Sequence, residues 1–279
     1  MVRKDRCKNL LDLAQKKLAL VINSGMNFLM KMIKPTRGYV EAKQRFSFNK
    51  TTIISAGIPR SGSTQIYQML CEIHPTIAVI KTHHFLFEEK WTKAVVTYRD
   101  FRDVIISIWR VEQTKRNGYT EVEKMKEETH FTQIINGKMT DLETETIAYR
   151  VKEHVKQGLY PYWLLKSPNV LILQYEMFFN NYEYLFKQLE RFFKCEIKLS
   201  LRDKIMTKTN MEANRKRASQ LAGFSEYNPE TQIHGAHVYK GEIGFWKKFM
   251  SKKQIQIAND ILEKELKEFG YEIRDSNHK

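Results

Sequence analysis

Along this chain the apolar positions change period several times, and each change predicts an element. Thr51 to Ile58 (TTIISAGI) is a short β-branched run ended by Pro59, the pattern of a buried strand. Beyond it, Ile66, Tyr67, Met69, Leu70 and Ile73 recur at helical spacing, with Ser63 or Thr64 available as the cap and His74-Pro75 as the stop. Thr76 to Ile80 and Ala94 to Tyr98 are further apolar runs, ended by Lys81 and Arg99, and the second leads into a helical stretch from Val104 to Trp109. Strand, helix, strand, strand, helix predicts a mainly parallel sheet covered on both faces.

Residues 121–157 are charge-rich and helical in pattern, Val170 to Tyr175 reads as another strand, and Tyr182 to Phe193 as another helix. Residues 212–240 are polar and basic, carry Gly223, Pro229 and Gly235, and read as a long loop. An amphipathic helix from Lys253 to Phe269, stopped by Gly270, closes the pattern. The predicted fold class is α/β: one domain over residues 46–279, with a P-loop-like sheet flanked by helices. Residues 1–45 are expected to form a basic helical extension that packs on the domain's flank, with membrane-surface contact as the sharper alternative.

Length and composition narrow the class. A chain of 279 residues with 42% hydrophobic positions and 16 Phe is globular, which excludes wholesale disorder and collagen-like repeats. A net charge of +15 draws the molecule toward polyanions: nucleic acid, an anionic membrane or phosphorylated small molecules. Cys7, Cys71 and Cys195, odd in number and without CxxC spacing, argue against a disulfide framework and for a reducing, cytoplasmic setting. The longest apolar stretch, Leu18 to Ile33, is interrupted by Asn23, Ser24, Gly25, Asn27 and Lys31, so no membrane span is expected.

Three segments carry chemistry. Gly57-Ile58-Pro59-Arg60-Ser61-Gly62-Ser63-Thr64 lies between the first strand and first helix, where backbone N–H groups and the helix's positive end meet a phosphate. Its frame is that of a P-loop, but Ser63 stands where a nucleoside triphosphatase has lysine, and Arg60 supplies the cation instead. Arg99 ends a strand at the sheet's carboxyl edge, and Ser107 follows eight residues on; an arginine fork and a hydroxyl there make a second phosphate clamp. Arg102, by contrast, reads as part of an Arg–Asp surface network. Lys81-Thr82-His83-His84 follows the second apolar run, and a histidine at a strand's end can serve as general base. Adjacent histidines without acidic or Cys partners at suitable spacing are no metal signature.

Taken in order, these segments resemble the sulfotransferases that use 3′-phosphoadenosine 5′-phosphosulfate (PAPS). Arg60, Ser61, Gly62, Ser63 and Thr64 are similar to that family's 5′-phosphosulfate loop, Lys81-Thr82-His83 to its Lys-x-His segment, and Arg99 with Ser107 to its 3′-phosphate motif. Tyr175-Glu176 is similar to its Tyr-Glu after a strand, Thr209 to a threonine near the adenine, and Lys240-Gly241 to the start of its late Lys-Gly segment. The resemblance implies PAPS as co-substrate, His83 as base assisted by Lys81 and Arg60, and no metal. The nucleotide would be held by Arg60 to Thr64, Arg99, Ser107, Tyr175, Thr209, Met211, Lys240 and Gly241.

This chain departs from the family pattern at Gln65, where cytosolic members have Trp, at Met211 for an aromatic, at Tyr239 for Arg, and at Phe245 for Asp. The missing arginine leaves Lys240, Arg215 or Arg217 to supply its phosphate contact. The acceptor is expected to be a small molecule or glycan bearing a hydroxyl or amine, with residues 111–165, Tyr160, Tyr162 and Trp163 among them, and the loop 212–240 lining its pocket. Two rivals stay open: a nucleoside-phosphate kinase with a degenerate P-loop, and a nucleic-acid-binding protein using basic runs such as Lys208 to Arg217.

Overall fold

The computed structural model describes residues 52–85, 91–116, 138–235, 238 and 241–273. The extension expected over residues 1–45, the candidate Lys240 and residues 121–137 lie outside them.

Four strands, β1 (Thr52–Gly57), β2 (Ala78–Lys81), β3 (Lys93–Tyr98) and β4 (Val170–Gln174), pair in parallel in the order β2-β1-β3-β4. The alternation within β1 divides the core in two. Ile54 and Ala56 face one side, against α2 (Phe101–Arg116), α3 (Asp141–Gly158) and α10 (Lys252–Glu268) through Ile105, Val151 and Leu262. Ile53 faces the other with Val95 and Leu173, against α1 (Ser63–Ile73), α6 (Tyr182–Phe193) and α7 (Leu199–Thr209) through Leu70, Phe186 and Ile205. A sheet buried on both faces needs no polar alternation, which is why β1 reads as a continuous apolar run.

Between these lie the short helices α4 (Tyr160–Leu165), α5 (Tyr175–Phe178) and α9 (Trp246–Phe249), together with α8 (Met211–Ser219) and a two-stranded ribbon, β5 (Tyr227–Asn228) and β6 (Ile233–His234). Helices α3 and α10 each start with a reciprocal capping box, Thr140 with Glu143 and Ser251 with Gln254. Two sequence expectations are corrected. Residues 211–219 form a helix instead of a loop: Asn210 caps it by accepting the Ala213 N–H at 2.7 Å, and Asn214 and Ala218 are its buried positions. Neither Ser63 nor Thr64 caps α1; its N-cap is Gly62, in the left-handed region at φ +87°. Among the described residues no helix is long and apolar enough to cross a membrane.

The first crossover carries the chain from β1 to β2 on one side, and β3 then pairs on the other side of β1. That reversal opens a crevice outside the carboxyl ends of the strands. Lys81 ends β2, and Arg60, His83, Arg99 and Tyr175 follow strand ends at this edge.

Candidate active site

The loop after β1 is tied down by hydroxyls. Ser61 Oγ donates to the Ile58 carbonyl at 2.7 Å and shares a 2.7 Å hydrogen bond with Thr97 Oγ1, while Ser55 Oγ donates to the Ser63 carbonyl at 3.0 Å. Gly57, at φ +147°, passes so close to the Thr97 carbonyl on β3 that a Cβ would collide with it. The loop therefore turns sharply and sets the start of α1 against the crevice. Ser61 is fully buried and acts as the loop's internal brace, whereas Gly62, Ser63 and Thr64 line the cavity.

Over the end of β2, His83 Nδ1 lies 2.8 Å from the Gly57 carbonyl. A carbonyl only accepts, so Nδ1 is the donor and the Nε2 lone pair of the neutral ring is left for a proton. Burial, then the neighbouring Lys81 charge, holds the His83 pKa well below 6.5. Gly158 of α3 backs this segment, so closely that a side chain there would strike the His83 carbonyl. Lys81 is lowered to about 8 by burial and then by Arg60, and Arg60 is lowered to about 10 by burial and then by Arg99. Three cations crowded into one half-enclosed space create a strong local demand for anionic charge.

Arg60 takes a left-handed conformation at φ +70° and donates Nε to Ser107 Oγ at 2.8 Å. Arg99 lies over the Tyr175 ring with its guanidinium carbon 4.6 Å from the centroid. Its Nη2 bonds Asp103 Oδ2 at 3.2 Å and the Glu242 carbonyl, while its buried Nε has no partner among the described residues. Asp103 also accepts the N–H groups of Gly244 (2.8 Å) and Trp246 (3.0 Å), so one buried carboxylate fastens the glycine-containing 241–246 segment beside Arg99. Tyr175 Oη donates to the Gly241 carbonyl at 3.1 Å, and burial pushes its phenol up to about 12.

Beneath this, Arg102 forms the expected Arg–Asp pairing, bidentate with Asp100 (2.9 and 2.8 Å), but the pair is buried and not on the surface, and Arg102 stacks on Trp246. Glu176 accepts the Asp100 N–H at 2.9 Å and the Tyr271 hydroxyl at 3.0 Å, bracing the ends of β3 and β4.

Toward the other end of the crevice, Gln65 Nε2 donates to Tyr182 Oη at 3.0 Å, and Tyr182 Oη shares a 3.1 Å bond with Thr209 Oγ1. Met211 borders Gly241 here and accepts a contact from Arg215 Nη2 at 3.1 Å.

These elements enclose one cavity of about 430 Å³. Of the residues expected to bind or act, Arg60, Gly62, Ser63, Thr64, Lys81, His83, Arg99, Ser107, Tyr175, Thr209, Met211 and Gly241 line it. The two cationic pockets expected separately are joined by the Arg60–Ser107 bond. Tyr160, Tyr162 and Trp163 do not line the cavity: Tyr162 is core at 1% exposure, and Tyr160 and Trp163 pack on Phe269. Nor do Arg215 and Arg217, the latter bonding the Lys208 carbonyl and Asn214. Sequence reasoning missed Asp103 and Tyr182; the four-residue step from Arg99 to Asp103 was the available signal for the first. Among the described residues no cluster of three or more His, Cys, Asp or Glu is arranged to hold a metal ion.

The sulfotransferase domain family matches residues 74–270. This chain belongs to that family. The match begins at the end of α1, so likeness in the preceding phosphate loop rests on its residues and geometry. No curated protein matches. Among solved structures, mouse sulfotransferase SULT7A1 complexed with PAP is similar over 79% of this chain and 84% of that one, at 15% identity and a TM-score of 0.53. Retinol dehydratase in complex with androsterone and inactive cofactor PAP is similar over 86% and 88%, at 15% identity and a TM-score of 0.51. Identities this low establish a shared fold.

Proposed function

We propose that this sulfotransferase moves a sulfuryl group from PAPS to a hydroxyl or amine of a small-molecule or glycan acceptor, with His83 as general base. The observation that carries the reading is the convergence, in one cavity, of an imidazole whose Nε2 is left to accept a proton with Lys81, Arg60 and the start of α1, and of Arg99 and Ser107 further along.

In this reading the N–H groups at the start of α1 receive the 5′-phosphate. The 3′-phosphate meets Arg99, whose buried Nε has no protein partner among the described residues, and Ser107. The adenine lies toward Tyr182, Thr209 and Met211, which contribute hydroxyls and a thioether where relatives stack an aromatic ring. The acceptor oxygen or nitrogen attacks sulfur, its bond to sulfur forms as the bridging S–O bond breaks, and its proton passes to His83 Nε2. Arg60 and Lys81 balance the charge that develops on the bridging oxygen. PAP, bearing both phosphates, is the leaving group. Such a displacement depends on positioning and electrostatics more than on covalent help from the protein.

Incubation of the purified protein with sulfur-labelled PAPS and a metabolite extract should yield a labelled acceptor. The variant His83→Ala should lose ~10² to 10⁴ in turnover while retaining PAP affinity. Full activity in that variant would transfer the role of base to another group.

A further inference from the structure

Between the two cavity-lining residues Lys81 and His83 stands one that does not line the cavity, Thr82, 1% exposed. The alternation is that of an extended chain, in which every second residue faces the same side. The Thr82 backbone N–H donates to the Ser55 carbonyl at 3.0 Å and so carries the β1–β2 ladder one step past Lys81. Its hydroxyl directs both of its hydrogen-bonding roles to one residue: Oγ1 accepts the His84 N–H and donates to the His84 carbonyl, each at 3.1 Å. The side chain thereby bridges the backbone across His83, a local bond of the kind that fixes a turn. Just beyond the bridge, the Phe85 N–H donates to the Gln157 carbonyl at 3.1 Å, and Gly158 packs directly behind the His83 carbonyl. The ring itself is held at one point, by Nδ1 on the Gly57 carbonyl at 2.8 Å. That bond selects the tautomer whose Nε2 accepts a proton, and it weakens steeply when donor and acceptor fall out of line. Rotation of the backbone at residue 83 would swing the ring off the Gly57 carbonyl, and the hydroxyl bridge opposes that rotation.

We infer that Thr82 is a positioning residue for His83: without lining the cavity, its hydroxyl holds the backbone in the course that sets Nδ1 on the Gly57 carbonyl and leaves Nε2 as the acceptor. The inference deepens the function proposed above and rests on it, because the role has meaning when His83 is the base.

Long-range proton–nitrogen spectra of the PAP-loaded full chain with nitrogen-labelled histidine test it, the His83 signals being identified by their loss in His83→Ala. In the parent, His83 should show a protonated Nδ1 and a bare Nε2. Thr82→Val, close in size but without the hydroxyl, and Thr82→Ala should both replace that signature by an average of the two tautomers, and Thr82→Ser should restore it. The initial rate of label transfer from sulfur-labelled PAPS to a metabolite extract should fall about ten-fold in the two hydroxyl-free variants, less than in His83→Ala, and return to within about three-fold of the parent in Thr82→Ser, with PAP affinity unchanged throughout. Should one hydroxyl-free variant fail to fold, the other carries the test; loss of the fold in both would make the hydroxyl a structural requirement and overturn the positioning role. So would a signature or a rate that holds without the hydroxyl, a Thr82→Ser that restores neither, or a parallel loss of PAP affinity. A parent that binds PAP yet transfers no label would instead remove the sulfotransferase reading, and the role with it, even where Thr82 still controls the tautomer.

Discussion

Lys81 holds its proton weakly because it is buried and lies beside Arg60, and in the proposed mechanism that sets the alkaline limit of activity. Its pKa, lowered to about 8, means that raising the pH through that value removes a positive charge from the sulfuryl site. His83 works in the opposite sense: it must be neutral to accept a proton, and burial beside Lys81 puts its pKa well below 6.5, so it is ready throughout the neutral range. The kcat/KM profile of the free enzyme should therefore rise through an acid limb below pH 6.5 and fall through an alkaline limb near pH 8. In Lys81→Arg the alkaline limb should move above about pH 9, because a guanidinium keeps its proton, while the acid limb persists. An alkaline limb unmoved by that substitution would belong to the acceptor or another group.

Helix α2 anchors the segment that closes the site, because Asp103 in its first turn bonds Arg99 and the amides of Gly244 and Trp246 together. Asp103→Asn can keep hydrogen bonds but leaves Arg99 as a buried charge without its carboxylate. Urea denaturation should show a loss of about 3 kcal/mol, the scale for removing one partner of a buried pair. Glu242→Ala retains the backbone carbonyl that Arg99 uses and should stay within about 0.5 kcal/mol of the parent. Equal losses in the two variants would mean that Asp103 does not hold the segment.

The same elements explain what was legible in the sequence. Strands β1 and β3 are short β-branched runs buried on both faces, and α1 and α6 have strong apolar periodicity, so their pattern reports their environment directly. Helix α8 (MEANRKRAS) buries only Asn214 and Ala218 and is fixed by the Asn210 cap and tertiary contacts, which no apolar period reveals. That Arg60, His83, Arg99 and Tyr175 would gather around one cavity was legible because they follow strand ends. Tyr182 meets Gln65 only through the packing of α6 against α1, across 117 residues of chain. Tyr160 and Trp163 looked like pocket aromatics, but the C-terminal Phe269 packs against them instead.

For the molecule as a whole, the proposed function predicts that joining both cationic ends in one cavity makes it selective for a nucleotide with phosphates at two positions. PAP should engage the start of α1 and Arg99 simultaneously, whereas adenosine 5′-phosphate can reach only the first. Ligand at a hundred times its dissociation constant stabilises the native state by about 2.7 kcal/mol. For a domain of this size that raises the melting temperature by roughly 5 to 10 °C. PAP should produce such a shift at concentrations where adenosine 5′-phosphate produces almost none. In Arg99→Met, which keeps the bulk over Tyr175 and removes the fork, the PAP response should fall to that of adenosine 5′-phosphate, with little change for the latter. Asp103 retains its two amide donors in that variant and, being buried, can take up a proton, so the fold should survive the loss of its ion pair. If Arg99→Met weakened both nucleotides equally, Arg99 would be supporting the fold of the cavity and the 3′-phosphate would have to be held elsewhere. A collapse confined to PAP would tie the selectivity of the whole cavity to that single guanidinium.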